Sequence, residues 1–401
     1  MEEDVFDVCL LHRMATMTHS SPPALLRRRS LLLALPAMVA LGASTSRVQA
    51  AGTVRFGMSA PFSGQAGVYG RQMKEGIDAA FAAINAKGGV HGQRLELIAL
   101  DDGYETAPAV ANARRLASQE KVFALMGFYG TASTTAVLPV LDEFDIPLIG
   151  TISGAGELRS PSHPHLFHLR ASYGDETATI VKHLLTLNLS RIAVFYQDDG
   201  FGRAGLKGVR DALAAHSIEP VAVGSVPRNS VDVKEAVAAI AAKKPQAIVM
   251  VTLYRPTAEF IKQMRASGAT ANFIALSPVG TDQLIAEVGA PNARGVQVSQ
   301  VIPSPWADKL LAAREYKRTL AQFAPQGTAV SYYGFEGYLN ARLVAAALER
   351  AGSATRDRLT SALRAGPFDI GGYVVDFRPG SNSGSKYVEI SVIGADGRIL
   401  N

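Results

Sequence analysis

Residues 53–100, TVRFGMSAPFSGQAGVYGRQMKEGIDAAFAAINAKGGVHGQRLELIAL, contain one complete strand–helix–strand unit. Residues 53–58 and 94–100 are short runs rich in branched and aromatic side chains, which is typical of buried strands. Between them, residues 69–86 carry apolar side chains at helical spacing, and Gly88 and Gly89 follow as a helix stop. This unit predicts a parallel pair of strands joined by a helical crossover.

The same rhythm continues along the chain. Further strands are predicted at 122–126 and 146–149, and then at 191–196, 220–226, 247–252, 272–276 and 295–302. In the second half, strand starts recur about every 23 to 29 residues, close to one strand–helix unit. We therefore predict an α/β protein with two doubly wound parallel-sheet lobes. Residues 307–364 are predicted to be helical, and strands follow at 373–377 and 387–393.

Two extended runs without linker composition, 167–171 and 298–303, lie where the rhythm breaks. Extended crossings between similar lobes would form a multi-crossing hinge around a cleft. We expect the first lobe to comprise 52–171 and 303–375, and the second 172–302 and 376–401. Ligands of open parallel sheets bind beyond the carboxyl ends of the strands, so the loops there are the candidate site.

Composition excludes several classes of protein. The 401 residues are 48% hydrophobic and 19% charged, which argues against disorder and favours two domains. One cysteine excludes a disulfide scaffold and a thiolate metal cage. The net charge of +5 is spread without a basic stripe, so we expect no nucleic-acid partner.

The first fifty residues resemble a targeting segment. Three arginines, 27–29, precede an apolar run at 31–41, and small residues lead to Ala50, the simplest cleavage point. The run is too short for a permanent membrane span. We predict a cleaved signal peptide over 1–50, with an over-long start, and location in the periplasm. Both general secretion and the twin-arginine route remain open.

The loop at 127–134 is the most informative candidate. Its glycines let backbone approach a ligand, and Thr131 or Ser133 falls at a helix start, where N–H groups favour an anion such as a carboxylate. Alternatively, Thr131 only caps its helix, and we give this interpretation the same weight as ligand binding. The loop at 150–156 is similarly small and flexible and would lie beside it.

Other motifs were weighed for cofactor, metal or catalytic chemistry. Residues 200–205 match a dinucleotide fingerprint, but Asp198 and Asp199 would repel a pyrophosphate, so we interpret the match as a tight turn with close helix packing. We expect no nearby acid to complete a metal set with His163 and His165. No catalytic triad or phosphate loop is recognisable, and we expect no cofactor, no metal and no enzyme activity.

Several runs together resemble the periplasmic leucine/isoleucine/valine-binding protein family, the type I solute receptors of ABC importers. They are 59–64 with Tyr69 and Gly70, 83–89 with Gly92, Asp101 and Asp102, 127–134, 196–202 and 366–377. The resemblance covers essentially all of 52–401 and implies a two-lobed receptor that closes on one small ligand. It also implies docking on a membrane permease with its ATPase, and we expect a monomer.

The resemblance further implies the site residues. Thr131 corresponds to the hydroxyl that holds the ligand carboxylate, helped by the backbone around Tyr129 and by the loop at Ser153. Tyr69, Phe201 and Tyr254 correspond to aromatic positions that sandwich the ligand. The complete predicted set is Tyr69, Tyr129, Gly130, Thr131, Ser153, Gly154, Tyr173, Asp175, Phe201, Tyr254 and Ser277.

Two departures from the amino-acid-binding pattern bear on the ligand. Gly154 stands where such proteins tend to carry threonine, and Ser277 where a glutamate would meet the α-ammonium. Asp175 or Asp199 would have to replace that glutamate, because a buried ammonium without an acid is costly. Otherwise the ligand lacks an amine, so amino acids, apolar or aromatic carboxylates and amides all remain candidates.

Two functions from different classes follow from these observations. The leading hypothesis is a receptor that delivers a small amino acid or carboxylate to an importer by hinge closure. The alternative is a sensory module for a signalling partner, because one fold serves both roles.

Overall fold

A computed structural model describes residues 52–377 and 380–400. The predicted signal peptide lies outside the described residues. The first elements are the strands β1 (Thr53–Ala60), β2 (Arg94–Asp101), β3 (Ala124–Met126), β4 (Leu148–Ile149) and β5 (Leu166–Phe167), and the helices α1 (Gly67–Ala86), α2 (Thr106–Ser118) and α3 (Thr131–Phe144).

The second group of elements alternates helix and strand. The helices are α4 (Tyr173–Thr186), α5 (Gly200–Ala214), α6 (Lys234–Ala241), α7 (Tyr254–Ala266), α8 (Thr281–Val288) and α9 (Ala290–Ala293). The strands are β6 (Ile192–Asp198), β7 (Ala222–Pro227), β8 (Ala247–Val251), β9 (Asn272–Ala275) and β10 (Gln297–Gln300).

The last part of the chain contains three helices and four short strands. They are α10 (Leu311–Phe323), α11 (Tyr332–Ala351), α12 (Arg356–Arg364), β11 (Phe368–Asp369), β12 (Val374–Val375), β13 (Glu389–Ile393) and β14 (Ile399–Leu400). Helices α10 and α11 pack on α1, whereas β13 joins the sheet of the second group.

Two sheets form the framework. The first has the order β2-β1-β3-β4-β5 and is parallel throughout. The second has the order β14-β13-β10-β9-β8-β6-β7, and only the pairs of β13 with β10 and with β14 are antiparallel. We call the first sheet with α1–α3 and α10–α12 the first lobe, and the second sheet with α4–α9 the second lobe. The predicted α/β class with two parallel-sheet lobes is confirmed.

The chain passes three times between the two sheets. The passages follow β5, β10 and β12, and backbone bonds align the first with the third, His168 N donating to Asn382 O at 2.7 Å. The Tyr373 hydroxyl lies 3.3 Å from the carbonyl oxygens of both Leu169 and Val301 and so contacts the first two passages. The two predicted extended runs, 167–171 and 298–303, lie at these passages.

Burial follows the sequence pattern. All residues of β3, β4 and β8 are buried, which explains why these strands appear in the sequence as continuous apolar runs rather than alternating ones. The loops beyond the carboxyl ends of the strands carry the polar and aromatic side chains described next.

Candidate functional site

Thr131 and Ser153, on neighbouring loops of the first lobe, form a buried hydroxyl pair. Thr131 is the first residue of α3, and its Oγ1 lies 2.8 Å from Ser153 Oγ. The N-cap position is Gly130 and has no side-chain cap, so the Thr131 hydroxyl does not cap its own helix. The Tyr173 side chain lies close to Thr131, and burial raises the pKa of Tyr173 to about 12. The pair can hold an anion at a helix start, as predicted for a carboxylate.

Five tyrosines, Tyr69, Tyr104, Tyr129, Tyr254 and Tyr333, form a cluster where the lobes meet. The Tyr69 ring stacks on that of Tyr129 at 5.3 Å and meets the Tyr254 ring edge-on at 5.7 Å. The Tyr333 ring centre is 4.6 Å from that of Tyr69, and the Tyr104 ring is 5.6 Å from that of Tyr129. This tyrosine cluster offers flat apolar faces together with hydroxyl groups, a combination that suits small ligands.

Hydroxyl groups of the tyrosine cluster bond across the lobes. Tyr69 of the first lobe donates to Val279 O at 2.7 Å and accepts from Tyr254 N at 3.2 Å. Tyr333 donates to Pro278 O at 3.1 Å. Burial raises the pKa of both tyrosines, so both hydroxyls keep their protons and act as neutral donors. The lobes are thus closed on each other in this structure.

At two positions, neighbouring atoms lie so close to the backbone that only glycine fits. Gly130 has φ +94°, and a Cβ there would lie 2.8 Å from Tyr104 Cε2. A Cβ on Gly154 would lie 2.3 Å from Tyr173 Cδ1 and 2.7 Å from Tyr173 N. The ring of Tyr173 therefore occupies the space that a threonine side chain at 154 would need. This contact gives a physical reason for the first departure from the amino-acid-binding pattern.

Phe201 and Asp199 lie at the start of α5. The Phe201 ring packs against Tyr173 at 5.3 Å and is buried. Asp199 caps α5 through the Gly202 N–H at 3.1 Å and pairs with Arg228 at 3.3 Å. Its charge is therefore already compensated within the chain.

Ser277 lies in a network of buried charges. Its N–H and hydroxyl both donate to the Glu176 carboxylate, at 2.8 and 3.1 Å, and Ser299 Oγ donates to the same group at 2.6 Å. Arg170 forms a two-pronged pair with Glu336, at 2.9 and 2.7 Å, and its Nη1 lies 3.4 Å from Ser277 Oγ. The network connects the first passage between the sheets to both lobes.

Asp175 serves its own helix. Its carboxylate accepts from Ser172 N at 2.9 Å and from the Ser172 hydroxyl, while Ser172 Oγ accepts from Asp175 N in a capping box. The structure thus brings together the hydroxyl, glycine and tyrosine positions of the predicted set and gives Asp175 a helix-capping contact. Ligand contact by any of these residues stays a prediction.

Sequence reasoning missed Tyr333, Tyr104, Arg170, Glu176 and Glu336. Arg170 lies within the predicted run at 167–171, and Tyr333 follows Ser331, which caps α11 through Gly334 N at 3.0 Å. That serine was an available signal for a helix start. Glu176 and Glu336 had no such signal, because an acid in a helix is ordinarily exposed.

The other motifs have structural explanations. A Cβ on Gly202 would lie 1.8 Å from Gln197 O, and one on Gly205 would lie 2.3 Å from Val251 Cγ1, which confirms the tight turn and the close helix packing. His163 Nε2 does have an acidic neighbour in space, Asp142 at 3.4 Å. Among the described residues there is nevertheless no group of three or more side chains that could hold a metal ion. In the same part of the chain, no helix is long and apolar enough to cross a membrane.

Comparisons with known proteins agree over most of the chain. A sequence model of the family described as periplasmic binding protein matches residues 53–397. An amino acid binding protein of Pseudomonas aeruginosa is 27% identical over 323 residues, which make up 80% of this chain and 84% of that protein.

Two solved structures share the fold at higher identity. A possible leucine/isoleucine/valine-binding protein from Rhodopirellula baltica SH 1 has a TM-score of 0.82 at 32% identity, covering 88% of this chain and 97% of that one. A substrate-binding periplasmic protein from Ralstonia solanacearum has a TM-score of 0.82 at 33% identity, covering 86% and 99%.

Proposed function

The chain belongs to the periplasmic binding protein family, as its sequence resemblance predicted, and we propose that it captures a small amino acid or an apolar or aromatic carboxylate by hinge closure. It delivers this ligand to an ABC permease and its ATPase. It acts as a monomeric receptor in the periplasm after removal of the signal peptide, and it leaves the ligand chemically unchanged.

The observation that carries this proposal is that the tyrosine cluster, where the lobes meet, lies next to the buried hydroxyl pair. Tyr129 precedes Thr131 by two residues, and the Tyr254 ring of the second lobe contacts the Tyr69 ring. The hydroxyl pair at the start of α3 supplies donors for a carboxylate. The tyrosine rings supply apolar faces for the rest of the ligand.

Closure explains how binding is completed. A ligand that touches both lobes gains all its contacts only in the closed form, so it shifts the equilibrium toward that form. A cavity of about 10 Å³ beside Ser277 and Tyr333 has room for roughly one water molecule. The lobes must therefore separate to admit a larger ligand.

A thermal-shift panel tests the function. We would screen leucine, valine and phenylalanine beside their amine-free counterparts 4-methylpentanoate, 3-methylbutanoate and 3-phenylpropanoate. A ligand that binds only the folded protein raises the melting temperature, by an amount that grows with concentration. No shift with any of the six at millimolar concentration would reject the proposal.

A further inference from the structure

Tyr104, on the loop after β2 in the first lobe, is contacted from the second lobe at three places. Arg228 Nη2 donates to the Tyr104 carbonyl oxygen, and the Arg228 guanidinium lies over the Tyr104 ring, 3.9 Å from its centre. Gln197 Nε2 donates to the Tyr104 hydroxyl at 3.2 Å. A guanidinium over an aromatic face is attracted to the ring in addition to making its hydrogen bond. The second lobe therefore holds this residue by its backbone, its ring and its hydroxyl.

One carboxylate of the second lobe orients both groups that reach Tyr104. Asp199 Oδ2 accepts from Arg228 Nη1 at 3.3 Å and from Gln197 Nε2 at 2.7 Å, and Asp199 is buried. Because all three residues belong to the second lobe, these two bonds do not require the first lobe. The arginine is thus oriented before it meets Tyr104, and less free energy is lost in ordering it.

The first lobe presents Tyr104 in a backbone conformation that bulky residues rarely adopt. Its φ is +66°, in the left-handed region, and its N–H donates to Asp102 Oδ1 at 2.9 Å. Asp102 is itself buried and accepts from the Ser59 hydroxyl at 2.8 Å. Such a conformation is costly and persists only where the surroundings fix it. The turn therefore keeps the Tyr104 carbonyl and ring in place for the second lobe.

Two more bonds lie beside these contacts. Asn229 Nδ2 donates to Glu105 Oε1 at 2.6 Å, and Gln65 Nε2 of the first lobe donates to Asn229 O at 3.0 Å. Neighbouring residues of one turn thus contact neighbouring residues of the other lobe. We call the following set the clasp: Gln197, Arg228 and Asn229 of the second lobe with Tyr104 and Glu105 of the first.

The order of the strands puts the clasp far from the hinge. Tyr104 follows β2 and Arg228 follows β7, and these two strands are edges of their sheets. Strand β5, which leads into the first passage, is the opposite edge of the first sheet. Strand β10, which leads into the second passage, is separated from β7 by three strands. Rotation of the lobes about the passages moves the far edges most, so contacts there oppose opening most effectively.

We propose that the clasp holds the cleft closed by contacts within this chain alone. Its partners are all groups of the protein, so it forms whenever the lobes close, with or without a bound ligand. A fraction of the ligand-free protein is therefore already closed, and a ligand increases that fraction. This inference goes beyond the proposed function, because it does not depend on which ligand the cleft takes.

A distance measurement between the lobes tests the clasp. With Cys9, the only cysteine, replaced by serine, Ala107→Cys and Glu235→Cys can each carry one spin label. Both positions are exposed, on α2 of the first lobe and α6 of the second. Double electron–electron resonance on the ligand-free protein should show a short and a long distance between the labels, for the closed and open forms.

Arg228→Gln removes the charge from the clasp, and Arg203→Gln is the matched control. Arg203 pairs with Asp198 at 2.6 Å within the second lobe, and both side chains are exposed. Arg228→Gln should lower the ratio of short to long distances about fivefold or more, because it loses a charged hydrogen bond and the ring contact. Arg203→Gln should change the same ratio by less than about twofold.

Asn229→Gly is the second variant and decides the test if Arg228→Gln fails to fold. Glycine suits the Asn229 φ of +59°, and the change removes the bond to Glu105. It should lower the ratio about twofold or more. Absence of the short distance in the protein with native clasp residues would overturn the proposal. So would distance distributions that are the same in the clasp variant and in Arg203→Gln. These results leave the receptor function untouched, since the ligand panel tests it separately.

Discussion

Gly154 shows how a single missing side chain shapes the cleft. Gly154→Thr would force a Cβ to within 2.3 Å of Tyr173 Cδ1, so the ring or the loop must move. We expect this variant to lower the free energy of unfolding by about 1–3 kcal/mol, as overpacking does. Urea unfolding measures it, and Gly156→Ala is the control, because a Cβ on Gly156 meets nothing within 4 Å. Equal stability of the two variants would contradict this account of Gly154.

Thr131 gives the sharpest test of carboxylate binding. Thr131→Ala removes a hydroxyl that bonds to Ser153 at 2.8 Å, whereas Thr131→Ser keeps it. We expect the alanine variant to bind a carboxylate ligand about 1–3 kcal/mol more weakly, the cost of an unmatched charged hydrogen bond. The serine variant should stay close to the wild type in calorimetry. If the alanine and serine variants bind the carboxylate ligand with equal affinity, Thr131 has no part in holding the carboxylate.

The residues that sequence reasoning found and missed differ in a physical way. Thr131 and Tyr129 were found because they follow a buried strand within a glycine-containing loop. Glu176 was missed because it is an ordinary helical position until the fold buries it beside Ser277, on a loop that is distant in sequence. Pairing across about a hundred residues leaves no local pattern.

At the scale of elements, the longer strands were predictable, whereas the short strands β5, β11 and β14 and one helix start were not. Strands β1, β2 and β8 begin at the predicted residues, 53, 94 and 247, because short runs rich in branched and aromatic side chains indicate strands. Helix α11 begins at Tyr332, inside the predicted helical stretch 307–364, for which no separate helix starts were predicted. Gly334 and Gly337 have poor helix propensity, so the sequence pattern did not indicate this helix start. A Cβ on Gly337 would lie 2.2 Å from Met73 O, so close packing on α1 requires the glycine.

Helix α11 is anchored to the first passage by a buried ion pair. Glu336 holds Arg170 through two bonds, and both side chains are at most 3% exposed. Glu336→Gln would remove the carboxylate that holds the buried guanidinium through two charged bonds, and we expect a loss of about 3–5 kcal/mol of stability. The control is Glu143→Gln, whose partner Arg114 is 48% exposed, and there the loss should stay below about 1 kcal/mol. Chemical denaturation compares the two, and similar losses would mean that the Arg170 pair is not a structural anchor.

At the scale of the whole molecule, individual hydrogen bonds connect the two lobes across the cleft. The Tyr69 and Tyr333 hydroxyls donate to carbonyl oxygens of the second lobe, and Gln65 Nε2 donates to Asn229 O at 3.0 Å. Each such bond contributes only about 0.5–1.5 kcal/mol net, so water can replace these bonds when the lobes separate. The three passages between the sheets keep the lobes connected while they move.

This arrangement predicts a ligand-dependent change in overall size. Small-angle X-ray scattering should show a smaller radius of gyration when the panel member with the largest thermal shift is added at saturation, because the bound ligand favours the closed form. Thr131→Ala provides the control: at a ligand concentration too low for its weakened site, its radius should stay at the ligand-free value. An unchanged radius in the wild type, with binding established by calorimetry, would mean that the lobes behave as one rigid body. Ligand entry would then have to occur without lobe separation, which the cavity of about 10 Å³ does not permit.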